Sequence, residues 1–252
     1  MPPRIAIPMP HSTDREYGER AIPQYERAVA LAGGQALRIP LDVSPTDIRK
    51  MAHSCDAVLL PGSKADVDPM KFRQARSPHT AAADTRREEA DFLLLQDAYA
   101  QRKPVLCICY GLQSLNVFRG GSLVQHIPDF LPEETRGRVN HEAGKKVAVA
   151  HSVEISGDSL LRKIVAEDAQ PSALSMPVNS SHHQSADFIG DGLRIVARCP
   201  NDGIVEALEG TSSDHFVLAV QWHPERSVDD DDHSRAIFRA LIEAAKIEAA
   251  TK

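Results

Sequence analysis

Short apolar segments alternate with amphipathic segments along the first half of the chain. The apolar segments are five or six residues long, as strands buried on both faces are, and they cover residues 4–8, 36–41, 57–62 and 105–109. Between them, apolar residues recur at the spacing of a helix, most regularly over residues 85–101 and 111–120. Strands that alternate with helices predict βαβ units and a parallel sheet covered by helices on both faces.

The second half of the chain is richer in strands. Apolar patterns predict strands in residues 145–155, 193–199, 203–210 and 216–223, followed by a helix over 234–250. Residues 129–146 have few apolar positions and two glycines, which predicts a long loop, either a lid or a solvated connection. No repeat or linker divides the chain, so we predict one α/β domain over residues 1–252. Its central sheet is expected to be mostly parallel, with antiparallel additions.

Composition and charge narrow the possible partners. The 252 residues are 42% hydrophobic and 25% charged, with a net charge of −6 and no long basic run. This balance argues against nucleic acid or an anionic membrane as a partner. No apolar run approaches the roughly 18 residues of a membrane span. The N-terminus also lacks a signal-peptide pattern, so we expect a cytoplasmic protein with reduced thiols.

The segment "VLCICYGLQSLN" places two cysteines where a predicted strand meets a predicted helix. A tight strand–turn–helix needs small residues two positions before and after its apex, and Cys109, flanked by Cys107 and Gly111, meets this requirement. The N-terminal end of the helix would lower the pKa of the Cys109 thiol, as suits a nucleophile. A buried inert cysteine remains an equal alternative on this stretch alone, and Cys107 is interpreted as sheet packing.

A candidate base follows near the C-terminus, in the segment "AVQWHPE". Pro224 stops the sheet ladder, so His223 lies at a strand end, where α/β enzymes place catalytic groups. If the chain stays extended, Glu225 lies on the same face as His223 and can orient its imidazole. A His-x-Glu pair is a weak signal alone, but with the elbow it predicts a catalytic triad of Cys109, His223 and Glu225.

These motifs, with "PGSKADVDP", "VNSSHHQ" and "DGIVEALE", resemble the class I glutamine amidotransferase superfamily, and within it the γ-glutamyl-γ-aminobutyrate hydrolase-like branch. The resemblance covers nearly the whole chain and implies a flavodoxin-like, single-domain α/β fold with a nucleophile elbow. It implies hydrolysis of a small-molecule γ-glutamyl substrate through a thioester on Cys109. We expect no cofactor and no metal ion.

The resemblance also implies roles for further residues. Backbone N–H groups of Tyr110 and of Gly62 or Ser63 would hold the oxyanion, and the pocket would be lined by Gln113, Ser181, His182 and Gln184. A structural role is an equal alternative for His182, and His183 is interpreted as packed. The chain departs from the family at Ser63, where relatives have glycine, so this residue can donate only if its φ is negative. Tyr110 stands where relatives commonly have arginine, which leaves the specificity open.

Several charged residues have simpler interpretations. The runs at 86–89 and 229–232 are interpreted as a solvated helix face and a solvated helix start. Arg136, Arg138 and His141, in the 129–146 loop, could meet a substrate carboxylate or face only water. Two other functions remain open: a glutaminase subunit that delivers ammonia to a separate synthase, and a non-catalytic binding protein on the same fold. The sequence does not set the oligomeric state, for which a homodimer is the commonest solution.

Overall fold

The computed structural model describes residues 1–166 and 172–250. The strands, in chain order, are β1 (Arg4–Pro8), β2 (Gln35–Ile39), β3 (Ala57–Leu60), β4 (Val105–Ile108), β5 (Leu123–Val124), β6 (His151–Ile155), β7 (Leu174–Val178), β8 (Ser185–Ala186), β9 (Leu193–Arg198), β10 (Val205–Gly210) and β11 (Val217–Val220). The helices are α1 (Arg15–Leu31), α2 (Pro45–His53), α3 (Thr85–Gln101), α4 (Tyr110–Phe118), α5 (Ile127–Phe130), α6 (Leu160–Val165) and α7 (Asp232–Ala250). None of these helices is both long enough and apolar enough to cross a membrane.

Nine of the described strands form one sheet in the order β2-β1-β3-β4-β11-β10-β9-β6-β7. The first five are parallel to one another, and the last four join β11 through antiparallel pairs. The short strands β5 and β8 pair separately. The prediction of an α/β fold with a parallel central sheet and antiparallel additions is therefore confirmed.

Two apolar clusters cover the faces of the sheet. On one face α1 and α7 pack against alternate strand residues such as Ile5 and Ile7. On the other face α2, α3 and α4 pack against the residues in between, such as Ala6 and Cys107. Strands β3 and β4 are buried along their whole length, as expected for central strands of a parallel sheet. The interpretation of Cys107 as sheet packing agrees with this position.

Two local predictions need correction. The strand predicted over 145–155 begins only at His151, because residues 145–149 are exposed and follow a turn at Gly144, where φ is +85°. The interpretation of 86–89 as a solvated face is wrong for Arg87 and Glu88, which are buried with internal partners. The 229–232 run does lead into a helix, since α7 begins at Asp232.

Candidate active site

Cys109 lies at the corner between β4 and α4 in an unusual backbone conformation, with φ 54° and ψ −107°. A positive φ is strained for a residue with a side chain, and such strain concentrates at functional sites. The Cys109 N–H donates to the carbonyl of Val220, 2.8 Å away, which ties the corner to the end of β11. A β-carbon at Gly111 would lie 2.3 Å from the Leu60 carbonyl oxygen, so only glycine fits there. The corner has the geometry of a nucleophile elbow.

The elbow opens into a cavity of about 270 Å³. The sequence-predicted residues that line this cavity are Ser63, Cys109, Tyr110, Gln113, Ser181, His182, Gln184 and His223. The remaining two predicted residues, Gly62 and Glu225, lie behind this lining and are buried. The fold therefore brings residues from both halves of the chain to one cavity.

His223 and Glu225 are joined by a hydrogen bond of 2.8 Å between Nδ1 and Oε1. The backbone is not extended here, contrary to expectation, because residues Pro224–Arg226 form a 3₁₀ turn that brings the carboxylate back to the ring. Asn179 fixes the His223 backbone by accepting its N–H and donating to its carbonyl, at 2.9 and 2.8 Å. Since Nδ1 faces the carboxylate, Nε2 is the nitrogen left to accept a proton, and it has no hydrogen-bond partner among the described residues.

The thiol and the imidazole approach each other beside Gly62. A β-carbon placed on Gly62 would lie 3.0 Å from Cε1 of His223 and 3.7 Å from Cβ of Cys109. The two side chains therefore border the same small space, which a larger residue at position 62 would fill. Cys109 and His223 thus lie beside the same glycine, although no hydrogen bond joins the thiol to Nε2 of His223 in this structure.

Burial controls the protonation of this pair. It raises the pKa of the Cys109 thiol to about 12, with Arg226 acting in the opposite direction. It also lowers the pKa of His223, although Glu225 partly offsets this effect. The expectation of a lowered thiol pKa is therefore wrong, because Cys109 is only 5% exposed and a thiolate there loses its solvent. At neutral pH the resting pair is a thiol beside a neutral imidazole.

The candidate oxyanion donors differ in availability. The Gly62 N–H already donates to the hydroxyl of Tyr25, 3.1 Å away, so the prediction of Gly62 as a donor does not hold in this structure. Among described residues other than glycine, only Arg73, Arg102 and Cys109 have positive φ. Ser63 therefore has the negative φ that it needs to serve as a donor. Ser63 and Tyr110, which both line the cavity, remain the predicted donors.

Arg87 supports the loop after β3 from behind. Its guanidinium donates to the carbonyl of Pro61 at 2.6 Å, to the carbonyl of Pro10 at 3.1 Å and to Asp91 at 2.6 Å. The same group lies over the Tyr110 ring, 4.9 Å from its centroid. One fully buried cation thus joins the loop after β3 to the first residue of α4. Sequence reasoning missed it because nothing in the run Arg-Arg-Glu-Glu distinguishes the buried positions from the exposed ones.

Glutamine side chains form one side of the cavity. The Gln113 amide donates to the Gln184 carbonyl and to Oε1 of Gln221, both at 3.3 Å. Gln184 in turn donates to the Gln125 carbonyl at 3.0 Å, while its Oε1 is buried without a partner in the described part of the chain. His183, interpreted as packed, lines the cavity and pairs with Asp66 at 3.1 Å, so that interpretation is incomplete.

Positive charge surrounds the cavity. The cations that line it are Arg20, Lys64, Lys145 and Arg226, against the acids Asp66 and Glu142. Burial and the neighbouring arginines lower the pKa of Lys145, as expected where cations crowd together. An anionic ligand would relieve this repulsion.

The three loop residues proposed to meet a substrate carboxylate do not lie in this lining. Arg136 and Arg138 are exposed elsewhere, and His141 is buried in the interior. His141 instead contacts two carboxylates of the protein, Asp202 at 2.9 Å and Glu206 at 3.3 Å. Within the 129–146 loop, Lys145 is the basic residue that reaches the cavity.

The fold and the elbow place the molecule among the class I glutamine amidotransferase-like proteins. More particularly, the chain belongs to the peptidase C26 family, whose sequence model matches residues 5–225. A γ-glutamyl-γ-aminobutyrate hydrolase of Escherichia coli O157:H7 is 32% identical over 232 residues, which cover 91% of this chain and 87% of the relative. A Mycobacterium tuberculosis protein, provisionally named a glutamine amidotransferase, is 37% identical over 88% of this chain; the match spans 66% of that relative's length.

Solved structures with low sequence identity share the fold. A Thermoplasma acidophilum protein, provisionally assigned as a component of GMP synthase, superimposes with a TM-score of 0.67 at 14% identity, over 100% of this chain and 98% of its own. The glutaminase domain of Trypanosoma brucei CTPS, solved with bound acivicin, gives 0.63 at 17% identity, over 97% and 94% of the two chains. These two likenesses show the fold, while the peptidase C26 family and the relatives named as hydrolases support a hydrolase or an amidotransferase-like enzyme.

Proposed function

We propose that this protein hydrolyses a γ-glutamyl amide through a thioester on Cys109 and releases glutamate and an amine. The observation that carries the proposal is the juxtaposition of Cys109, at a strained corner, with an imidazole oriented by Glu225. The relatives named γ-glutamyl-γ-aminobutyrate hydrolases support the substrate class.

His223 moves the protons in this scheme. As the Cys109 sulfur attacks the γ-carbonyl carbon, its proton passes to Nε2 of His223, and Glu225 stabilises the resulting imidazolium. The imidazolium then protonates the leaving amine, which departs and leaves a glutamyl thioester. A water molecule, deprotonated by the same nitrogen, cleaves the thioester and restores the thiol. Because burial raises the pKa of the Cys109 thiol, the first step depends on His223 as a general base.

The oxyanion formed in both steps needs donors on the opposite side of the carbonyl. The backbone N–H groups of Ser63 and Tyr110 are proposed for this role, since both residues line the cavity beside Cys109. One donor of this kind typically contributes about 2.7–4 kcal/mol of transition-state stabilisation. Arg87 would position both donors, because it contacts the loop before Ser63 and the ring of Tyr110.

The cations around the cavity favour a substrate with more than one carboxylate. A γ-glutamyl group carries one α-carboxylate, and an amine half such as γ-aminobutyrate carries a second. Lys64 and Lys145 both lie over the ring of Tyr17, at 5.0 and 5.6 Å, on one side of the cavity. Arg226 is held by the Ser181 hydroxyl at 2.8 Å, close to the catalytic pair. We propose that these two groups of cations bind the two carboxylates.

The test is glutamate release from a panel of γ-glutamyl compounds: γ-glutamyl-γ-aminobutyrate, a neutral γ-glutamyl alkylamide and glutamine. We expect the highest kcat/KM for the dianionic amide. Cys109→Ala should abolish release while leaving the circular dichroism spectrum unchanged. Cys107→Ala, two residues earlier and inside the buried strand β4, is the matched control and should keep turnover. Unchanged release by Cys109→Ala would refute the proposal, and a preference for glutamine would favour a glutaminase that supplies a separate synthase.

A further inference from the structure

Four buried side chains converge in the interior behind the cavity: His141, His151, His182 and Glu206. Each side chain is at most 3% exposed. One nitrogen of each histidine and one carboxylate oxygen of Glu206 all lie within 4.8 Å of one another. The nitrogens of His141, His151 and His182 lie 3.3, 3.3 and 3.6 Å from Oε1 of Glu206.

The inner atoms of this cluster make no hydrogen bonds. Nδ1 of His141, Nε2 of His151, Nε2 of His182 and both oxygens of Glu206 have no hydrogen-bond partner among residues 1–166 and 172–250. Buried polar atoms in folded proteins nearly always have a partner. Several such atoms that face one another at one point indicate a ligand held between them.

The outer nitrogen of each of the three rings makes a hydrogen bond. His141 Nε2 is bonded to Asp202 at 2.9 Å, His151 Nδ1 to the Ser152 carbonyl at 3.2 Å, and His182 Nδ1 to the Gln184 carbonyl at 2.9 Å. These acceptors require a ring proton on each outer nitrogen, so in a neutral ring the inner nitrogen presents its lone pair to the cluster. A carboxylate or carbonyl behind each histidine is the usual support of a metal-binding imidazole.

We propose that His141, His151, His182 and Glu206 bind a structural Zn²⁺ ion. Three imidazole nitrogens and one carboxylate oxygen suit zinc, which prefers four ligands in tetrahedral geometry. Four protein ligands in a buried site leave no position for substrate, so the role is structural. These four residues lie outside the proposed catalytic triad, and the metal site does not depend on the proposed activity. It replaces the expectation of no metal ion.

The ion would join four separate parts of the chain. His141 comes from the 129–146 loop, His151 from β6, His182 from the segment before β8 and Glu206 from β10. The loop carries Lys145, and His182 itself lines the cavity. The metal would therefore fix one wall of the substrate pocket to the antiparallel part of the sheet.

The first experiment measures metal in the purified full-length protein. After dialysis against metal-free buffer, we expect about one equivalent of zinc per chain by mass spectrometry of the elements. Protein stripped with a chelator should regain one equivalent on titration with ZnCl₂, and its melting temperature should rise because the ion binds only the folded state. Loading with Co²⁺ should give the visible absorption bands of a tetrahedral site. The cobalt spectrum needs no variant, so misfolding of a mutant cannot obscure the result.

Variants then locate the ion. His151→Asn and Glu206→Gln should each lose the bound equivalent. Asp202→Asn, which removes only the support behind His141, should weaken zinc binding by about 10–100-fold. The matched control is His126→Asn, in a separate cluster of potential ligands (His79, His126 and Asp129) that shares no residue with the proposed site, is largely exposed and should leave the equivalent unchanged.

Two outcomes would overturn the inference. One is a stripped protein that binds no zinc, shows no tetrahedral cobalt spectrum and melts at the same temperature with and without Zn²⁺. The four groups would then be an ion-pair cluster around a protonated His141. The other is a bound equivalent that survives in Glu206→Gln and disappears in His126→Asn. Either result leaves the Cys109 assay unaffected, so the two proposals fail separately.

Discussion

Two walls of the same cavity are built in different ways. The elbow wall consists of Cys109, Tyr110, the loop 61–63 and the turn 223–225, and it lies at the ends of adjacent parallel strands. The histidine wall is backed by the cluster of His141, His151, His182 and Glu206, of which His182 alone reaches the cavity lining. The cluster joins a loop, a segment before β8 and two antiparallel strands. In the elbow wall, local backbone geometry fixes each catalytic group. In the histidine wall, position depends on side chains that meet from distant parts of the chain.

Because the two walls are held differently, replacements in the elbow wall should affect mainly turnover, and replacements in the histidine wall should affect mainly stability. The elbow is held by a backbone hydrogen bond from Cys109 to Val220 and by the close fit of Gly111, so a side chain there can be replaced without loss of shape. The histidine wall buries polar atoms that need a common partner, so a replacement there should affect folding before it affects turnover. Substitutions in and around the elbow wall can test this division, and the largest effect is expected at the base.

His223→Ala should lower kcat/KM for γ-glutamyl amides by about 10²–10⁴, the usual contribution of a general base. The melting temperature should fall modestly, because Glu225 loses its buried partner, but the protein should remain folded. His53→Ala, at a histidine whose side chain is 72% exposed, is the control and should retain full activity. Full activity in His223→Ala would remove this residue from the scheme and leave the elbow wall without a base.

Arg87→Met should lower the free energy of unfolding by about 3–5 kcal/mol, because it leaves the Asp91 carboxylate buried without its partner. Urea denaturation measures the change. Arg86→Met, at the exposed neighbouring position, should stay within about 0.5 kcal/mol of wild type. The double variant Arg87→Met/Asp91→Leu should regain much of the loss, since it removes both charges. Equal stability of the two single variants would show that the elbow wall does not depend on this buried cation.

Tyr25→Phe should lower the free energy of unfolding by about 0.5–1.5 kcal/mol, because the Gly62 N–H loses its acceptor in a buried place. Tyr99→Phe is a matched control, since the Tyr99 hydroxyl is buried and has no hydrogen-bond partner among the described residues. If both variants lose the same stability in urea, the Gly62 hydrogen bond contributes nothing measurable.

The smallest expected effect in the elbow wall is a shift in the pH dependence of kcat/KM. His223 must be neutral to act as base, and burial, Arg226 and His182 hold its pKa below 6.5. The rate should therefore be flat near neutral pH and fall as pH drops through that lowered pKa. Because Glu225 raises the His223 pKa, Glu225→Gln should move the acidic limb of kcat/KM to lower pH. An acidic limb that stays in place, or moves upward, would contradict this assignment.

The lowered pKa of His223 also makes the free energy of unfolding depend on pH. A histidine with a lowered pKa binds its proton more readily in the unfolded chain. The unfolded state is therefore favoured as pH falls from about 6.5 toward the folded pKa of His223. Urea midpoints measured across this range should fall with pH, and less steeply in His223→Ala.

How much could be predicted depended on how locally each feature is encoded. The corner at Cys109 followed from small residues at 107 and 111, and the fit of Gly111 against Leu60 shows why local sequence was sufficient there. The proximity of His223 and Glu225 was also expected, although a 3₁₀ turn produces it and not an extended strand. In both cases the residues that decide the geometry are a few positions apart.

The rest depended on packing between distant segments. The thiol pKa of Cys109 was expected to fall because of the helix behind it, yet burial by the whole fold raises it. Arg87 could not be distinguished from Arg86 without knowing which carbonyl oxygens lie behind α3. His141, His151, His182 and Glu206 lie far apart along the chain, so no spacing indicated that they meet.

The sheltered sulfur also has a consequence for oxidative damage. Peroxides and alkylating reagents attack thiolates, and a thiol with a pKa of about 12 has almost none at neutral pH. Cys109 would therefore be spared from sulfenic acid formation between turnovers and become nucleophilic only when a substrate carbonyl lies against it and His223 accepts its proton.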